Sequence, residues 1–248
     1  MKTQGDVATH VMKLRGILLF LVLAAPLWAQ AGSFEVNPIG MTLSAAHTTG
    51  VITVTNNSDS PTVVQLQIVA WSQENGEDVY TASRKLLATP PIFTVPAGGQ
   101  QTVRLGVMTK PDAQRESAYR LFLQEVPPPK TLGFQGLQVL LRIGIPVFVK
   151  PGVATAPDLH WSARQLSATE LSVEAANDGS AHAHIGKLTL GKSLNGAALS
   201  EQPGGYVLPG ARHIWKFKLA KPLAADTPLT ITAETDRGTL HAQLVRGK

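Results

Sequence analysis

His182 and His184 flank a single alanine, so in an extended segment both imidazoles fall on one face and supply half of a metal site. No carboxylate stands at ligand spacing to complete it, although Asp178 is near, and two alternating histidines on an exposed strand are ordinarily solvated. Asp226, Glu234 and Asp236 are too scattered to form the paired carboxylates of a hydrolase. The chain has no Gly-x-Ser-x-Gly, no His-Glu-x-x-His and no phosphate loop. Gly98-Gly99 follows a proline turn and leads into a strand, whereas a phosphate cradle leads into a helix. The lack of cysteine excludes thiol catalysis, thiolate zinc sites and c-type haem attachment. No catalytic centre, metal or cofactor is expected.

The chemistry that remains is recognition through backbone and apolar surface. Residues 137 to 145 read Leu-Gln-Val-Leu-Leu-Arg-Ile-Gly-Ile. In a strand, Leu137, Val139, Leu141, Ile143 and Ile145 share one face, while Gln138, Leu140, Arg142 and Gly144 share the other. A long apolar strand closing a β domain invites pairing with other chains. It is tolerated when it is covered, or when pairing with another chain is its purpose.

The elements that must position this strand are short runs rich in Val, Thr, Ile and Leu, separated by Gly, Pro, Asn and Asp clusters. The spacing predicts strands near 34–36, 50–55, 62–71, 92–95, 101–107, 119–126 and 137–149, about the number in an immunoglobulin-type sandwich. Asn75-Gly76 marks a tight turn, because both residues tolerate positive φ. A boundary is expected at Lys150-Pro151-Gly152. A second series follows near 159–166, 170–176, 182–190, 205–208, 213–219, 229–234 and 239–245. No helical periodicity is long enough to predict a helix. The expected fold is all-β, two tandem immunoglobulin-like β-sandwich domains spanning 32–151 and 152–248.

Lys13 and Arg15 precede an apolar run from Gly16 to Leu27, and Ala29-Gln30-Ala31 offers small residues at cleavage spacing. Residues 1–31 are therefore expected to be a secretory signal peptide, with Met12 an alternative start. The run is shorter than the roughly 20 apolar residues of a spanning helix, so no membrane insertion is expected after cleavage. That segment carries Lys2, Lys13 and Arg15 against Asp6, which lowers the formal +5 of the whole chain to about +3. Scattered basic residues and few tryptophans give no support to nucleic-acid binding. An exported chain without disulfides must rest on its hydrophobic cores.

Several short motifs then fall in a recognisable order. Ala88-Thr89-Pro90-Pro91-Ile92-Phe93-Thr94-Val95-Pro96-Ala97-Gly98-Gly99-Gln100-Gln101-Thr102-Val103-Arg104-Leu105 resembles the double-proline, Pro-x-Gly and Val-Arg-Leu pattern of the periplasmic chaperones of chaperone–usher pili, the PapD-like family. Arg115-Glu116-Ser117 with Phe122-Leu123-Gln124-Glu125-Val126-Pro127-Pro128 resembles that family's next signature, and Pro146-Val147-Phe148-Val149-Lys150-Pro151 resembles its Phe-x-(basic)-Pro ending. The resemblance covers roughly residues 34 to 151 and is slight in the second domain.

The resemblance implies two sandwiches set around an inter-domain cleft. It also implies a chaperone that caps pilus subunits by donor-strand complementation and delivers them to an outer-membrane usher without nucleotide. The lending residues would be Leu137, Val139, Leu141 and Ile143. The same edge could serve self-association. The family anchors the subunit's C-terminal carboxylate with two basic residues, but the matching positions here are Gly40 and Pro146. Arg120 and Arg142 are the expected replacements, and Tyr119-Arg120 looks like the pattern of divergent branches. The short loop Lys130 to Gly136 resembles the branches that serve pili. A secreted adhesin or carbohydrate-binding module is the alternative, though aromatics make up only 6% of the chain and are dispersed, which gives it no aromatic platform.

Overall fold

Alternation of more and less buried residues runs through most strands of the computed structural model, which describes residues 34–127, 139–193, 196–224 and 227–246. The expected signal peptide, Leu137, the loop Lys130 to Gly136 and Asp226 lie outside the described residues. Ten strands build the first sandwich: β1 (Phe34–Asn37), β2 (Met41–Ser44), β3 (Thr49–Asn56), β4 (Thr62–Glu74), β5 (Glu77–Ala82), β6 (Leu86–Thr89), β7 (Ile92–Val95), β8 (Gln100–Val107), β9 (Ser117–Glu125) and β10 (Arg142–Lys150). Eight build the second: β11 (Leu159–Ser167), β12 (Glu170–Asn177), β13 (Ala183–Gly191), β14 (Ala198–Val207), β15 (Arg212–Lys218), β16 (Thr230–Thr235), β17 (Gly238–Gln243) and β18 (Val245–Arg246). No helix occurs among the described residues.

One sheet of the first sandwich has the order β1-β3-β8-β6, and the other β2-β10-β9-β4-β5, with β7 beside the first half of β4. At two of the crossings between sheets, after β1 at Pro38 and after β6 at Pro90, the peptide bond before the proline is cis. Proline suits these crossings because it removes a ladder donor where pairing must stop. Between the sheets lie Leu43, Ile52, Val95, Val103, Leu121, Ile145 and Val147, all essentially without solvent exposure.

The second sandwich packs β15-β12-β11-β18 against β14-β13-β16-β17 around Leu171, Val173, Leu188, Leu190, Phe217 and Ile231. A structural echo links the halves where direct sequence repetition is not visible. Asn56, at the end of β3, donates Nδ2 to the carbonyls of Ser60 and Val95 and accepts at Oδ1 from Ser58 N. Asn177, at the end of β12, donates to the carbonyls of Ala181 and Val207 and accepts from the amides of Asp158 and Gly179. Both side chains are buried, and each pays its desolvation by satisfying a turn that leaves the sheet.

The strand predicted over 137–149 begins only at Arg142, and residues 139–141 are not strand. The segment expected over 205–208 is the tail of the longer β14. The Asn75-Gly76 turn is present, with φ of 54° and 84°, and its glycine sits where a Cβ would meet Ile214 of the second sandwich at 2.9 Å.

The two sandwiches are joined by specific contacts. Trp71, Phe148 and Leu208 form a small buried cluster. Gln73 donates Nε2 to the Tyr206 carbonyl at 2.8 Å and accepts the Leu208 N–H at 2.9 Å. A cleft of about 490 Å³ opens beside this junction, lined by Trp71, Gln73, Glu116, Ser117 and residues 208–211.

Candidate functional site

Strand β10 is the element that carries the apolar stripe out of the core. Its register with β9 runs from Arg142↔Gln124 to Val149↔Ser117. Val147 and Ile145 are 0% and 1% exposed, Ile143 packs at the rim of the core, and Leu141 lines the mouth of the sandwich. Beyond the mouth, Val139 is 70% exposed. One continuous face thus passes from fully buried to fully solvated within seven residues. Leu140, on the alternate face, is 40% exposed.

Among the described residues, the other edge of β10 has a strand partner only at its far end. Strand β2 pairs with it in parallel, from Val147↔Met41 to Lys150↔Ser44. Glu125 N donates to Leu141 O at 2.9 Å, so in the alternation of an antiparallel ladder the odd residues 141, 143 and 145 turn their backbone groups toward β9. Arg142, Gly144 and Pro146 therefore turn theirs toward the open edge. Pro146 has no N–H to leave unpaired there, which suits an edge position.

The ladder stops at Leu141 for a reason written in the sequence. Continuing the register would pair Val139 with Pro127, and Pro127 cannot donate the hydrogen bond that Val139's carbonyl needs. With β2 absent on one side and Pro127 on the other, residues 139 and 140 have no strand partner and are not strand. Propensity alone cannot register this, because a strand requires a neighbour.

Gly40 and Pro146 abut each other, with a Cβ at Gly40 reaching Pro146 Cγ at 3.5 Å. Arg120 stands directly across from Pro146 in the ladder, on the same outward row. A cation thus stands one strand over from Pro146, on β9. Arg120's guanidinium lies 3.9 Å from the Trp71 ring and 5.5 Å from the Tyr206 ring, with Nη1 3.5 Å from the Gly144 carbonyl at the open edge. Cation–π attraction holds it there. None of the ion pairs among the described residues includes Arg120. Burial, and then the Asp78 carboxylate, push the Tyr80 hydroxyl above the usual phenol range against the pull of Arg120. Burial likewise raises Tyr206, again opposed by Arg120.

Arg142 does not join this site. It is exposed, stacks at 4.0 Å over Phe122, and stands four residues from Pro146, roughly 13 Å along the strand. Its neighbour on the outward face is an aromatic ring, which holds Arg142 by the open end of β10.

His182 and His184 are engaged otherwise than as metal ligands. His182 Nδ1 bonds Oε1 of the buried Glu116, its backbone N–H donates to the same oxygen at 3.2 Å, and its ring stacks on Phe148 at 3.6 Å. His184 stacks on Tyr206 at 4.4 Å. The His182 contacts cross from one sandwich to the other, whereas the His184–Tyr206 pair lies within the second. Trp71 and Tyr206, the walls around Arg120, were not among the expected site residues. Trp71 shares its row of β4 with Gln65, Gln67 and Gln73, which was a usable signal, whereas nothing local marks Tyr206.

The described residues form two tandem immunoglobulin-like sandwiches, with an open strand edge at the end of the first. Residues 33–154 match the family described as pili and flagellar-assembly chaperone, PapD N-terminal domain, and the first sandwich belongs to this PapD-like chaperone family. No curated protein matches it in sequence. Among solved structures it is similar to a chain of the CsuC–CsuE chaperone–tip adhesion subunit pre-assembly complex from archaic chaperone-usher Csu pili of Acinetobacter baumannii, at 21% identity and a TM-score of 0.64, covering 87% of this chain and 100% of that one. The Salmonella enterica SafA pilin complex with the SafB chaperone gives 17% identity and 0.61, covering 87% and 98%. The E. coli chaperone DraB gives 19% and 0.57, covering 86% and 97%.

Proposed function

We propose that this protein is a periplasmic chaperone that holds pilus subunits folded by lending them the open edge of β10, and then delivers them to an outer-membrane usher. The observation that carries the reading is the apolar face that leaves its own core at Ile143 and continues to the exposed Val139, beside a backbone edge with no strand partner among the described residues. Leu137, Val139, Leu141 and Ile143 are the lending residues. Each side chain newly buried contributes about 1.5–3 kcal/mol before ordering costs.

Arg120 gives the edge a direction. A subunit strand paired along Leu140 to Gly144 is stopped by β2, whose first residue already faces Val147. If it runs parallel to β10, as β2 does, its carboxyl terminus arrives beside the Arg120 guanidinium, which bonds a carboxylate strongly in so enclosed a place. The basic, apolar and small-residue pattern of residues 13–31 supports export to the periplasm. The test is periplasmic co-expression with pilus subunits, comparing wild type with Val139→Asp plus Leu141→Asp. Co-purification with the wild type and its loss in the double variant is the expected result. If no pilus subunit is retained by the wild type, the adhesin reading takes its place.

A further inference from the structure

Resting on the strand-lending reading, we infer that Glu125 is the positioning residue that sets the phase of the lent segment as it leaves its own sandwich. In a regular ladder the Leu141 N–H returns to the backbone carbonyl of Glu125. Here it donates instead to the Glu125 carboxylate, Oε2, at 3.1 Å, while Glu125 N donates to Leu141 O at 2.9 Å. One residue thus grips both backbone groups of Leu141, once with its main chain and once with its side chain.

The setting makes this grip consequential. The carboxylate reaches into a small cavity of about 10 Å³ at the mouth of the core, among Phe34, Val54, Val64, Leu123 and Ile143. A charged group in such surroundings requires a hydrogen-bond donor, and Leu141 N–H is the donor the structure provides. Pro127 ends the backbone ladder one step further on, so Glu125 holds the last fixed point before the free segment. A strand has a side-chain period of two, and a rotation or slip by one residue would exchange its faces. With Leu141 turned toward β9, Val139 must share the face of Ile143, and Leu140 must offer its backbone to the incoming subunit. Releasing that grip leaves Val139 and Leu140 free to exchange roles.

The chain has no cysteine, so single thiols introduced by Val139→Cys or Leu140→Cys report which face is covered. Each is placed in the full-length protein with native Glu125, with Glu125→Gln, whose amide oxygen still accepts, or with Glu125→Val, which does not. The probe is soluble maleimide, applied to complexes purified after co-expression with one pilus subunit. With native Glu125 and with Glu125→Gln, the Val139→Cys thiol should react about tenfold more slowly than the Leu140→Cys thiol, and with Glu125→Val the ratio should fall to within about twofold. In the uncomplexed protein, Leu141 amide exchange should accelerate about tenfold in Glu125→Val alone. A tenfold thiol ratio that survives Glu125→Val, or unchanged Leu141 exchange, overturns the role of Glu125 and leaves strand lending intact. Two equally reactive thiols in a complex with native Glu125 overturn strand lending itself.

Discussion

Arg120 lies against a wall of rings, across from Pro146 and beside the open edge of β10, and in the strand-lending reading it is the cation that meets the subunit's carboxylate. Arg120→Ala should weaken subunit binding by about tenfold or more while costing the fold no more than about 1 kcal/mol. Arg120→Lys should fall between, since lysine retains the charge and loses the planar stack. Titration of purified complexes beside urea unfolding of the free protein checks both halves of this expectation. His213 supplies a pH signature of a different kind. Burial lowers its pKa below the ordinary 6.5, opposed by the Asp78 carboxylate. The unfolded chain therefore takes up a proton near pH 6.5 that the folded chain refuses. Stability is full above that pH, falls as pH drops through it, and levels off below the depressed folded pKa. His213→Gln should flatten this part of the profile in thermal melts between pH 5 and 8.

At the scale of the element, β10 has two roles in sequence along one face. Ile145→Ala removes a fully buried side chain and should cost about 2–5 kcal/mol of stability. Val139→Ala, six residues earlier on the same face, should change stability by less than about 0.5 kcal/mol. In the strand-lending reading, Val139→Ala nonetheless weakens subunit capture. Denaturant midpoints paired with subunit retention separate the two, and equal stability losses would remove the distinction between buried and lent halves. The alternation of the stripe was legible from residue types alone. Where the strand ends was not, because Pro127 and the start of β2 act on β10 from 15 residues before it and from the other end of the domain.

In the whole molecule the two sandwiches meet through Trp71, Phe148 and Leu208, the Gln73 hydrogen bonds and the Glu116–His182 pair. Leu208→Asp places a carboxylate among these rings and should cost about 3 kcal/mol. It should also split a single calorimetric unfolding transition into two, as each sandwich comes to unfold by itself. A single transition at an unchanged temperature would show that the junction does not couple them.

What the sequence by itself determined is local: strands from alternation, turns from Asn75-Gly76 and the prolines, an apolar stripe over 137–145, and enough ordered motifs to name the family. These depend on each residue's own chemistry and its near neighbours. The tertiary structure alone decided that Arg120 faces Pro146, that Trp71 and Tyr206 enclose it from two different sandwiches, and that His182 answers Glu116 across 66 residues of chain. Such contacts depend on the pairing of strands distant in sequence. Register decides that pairing, and register follows from how the whole core closes.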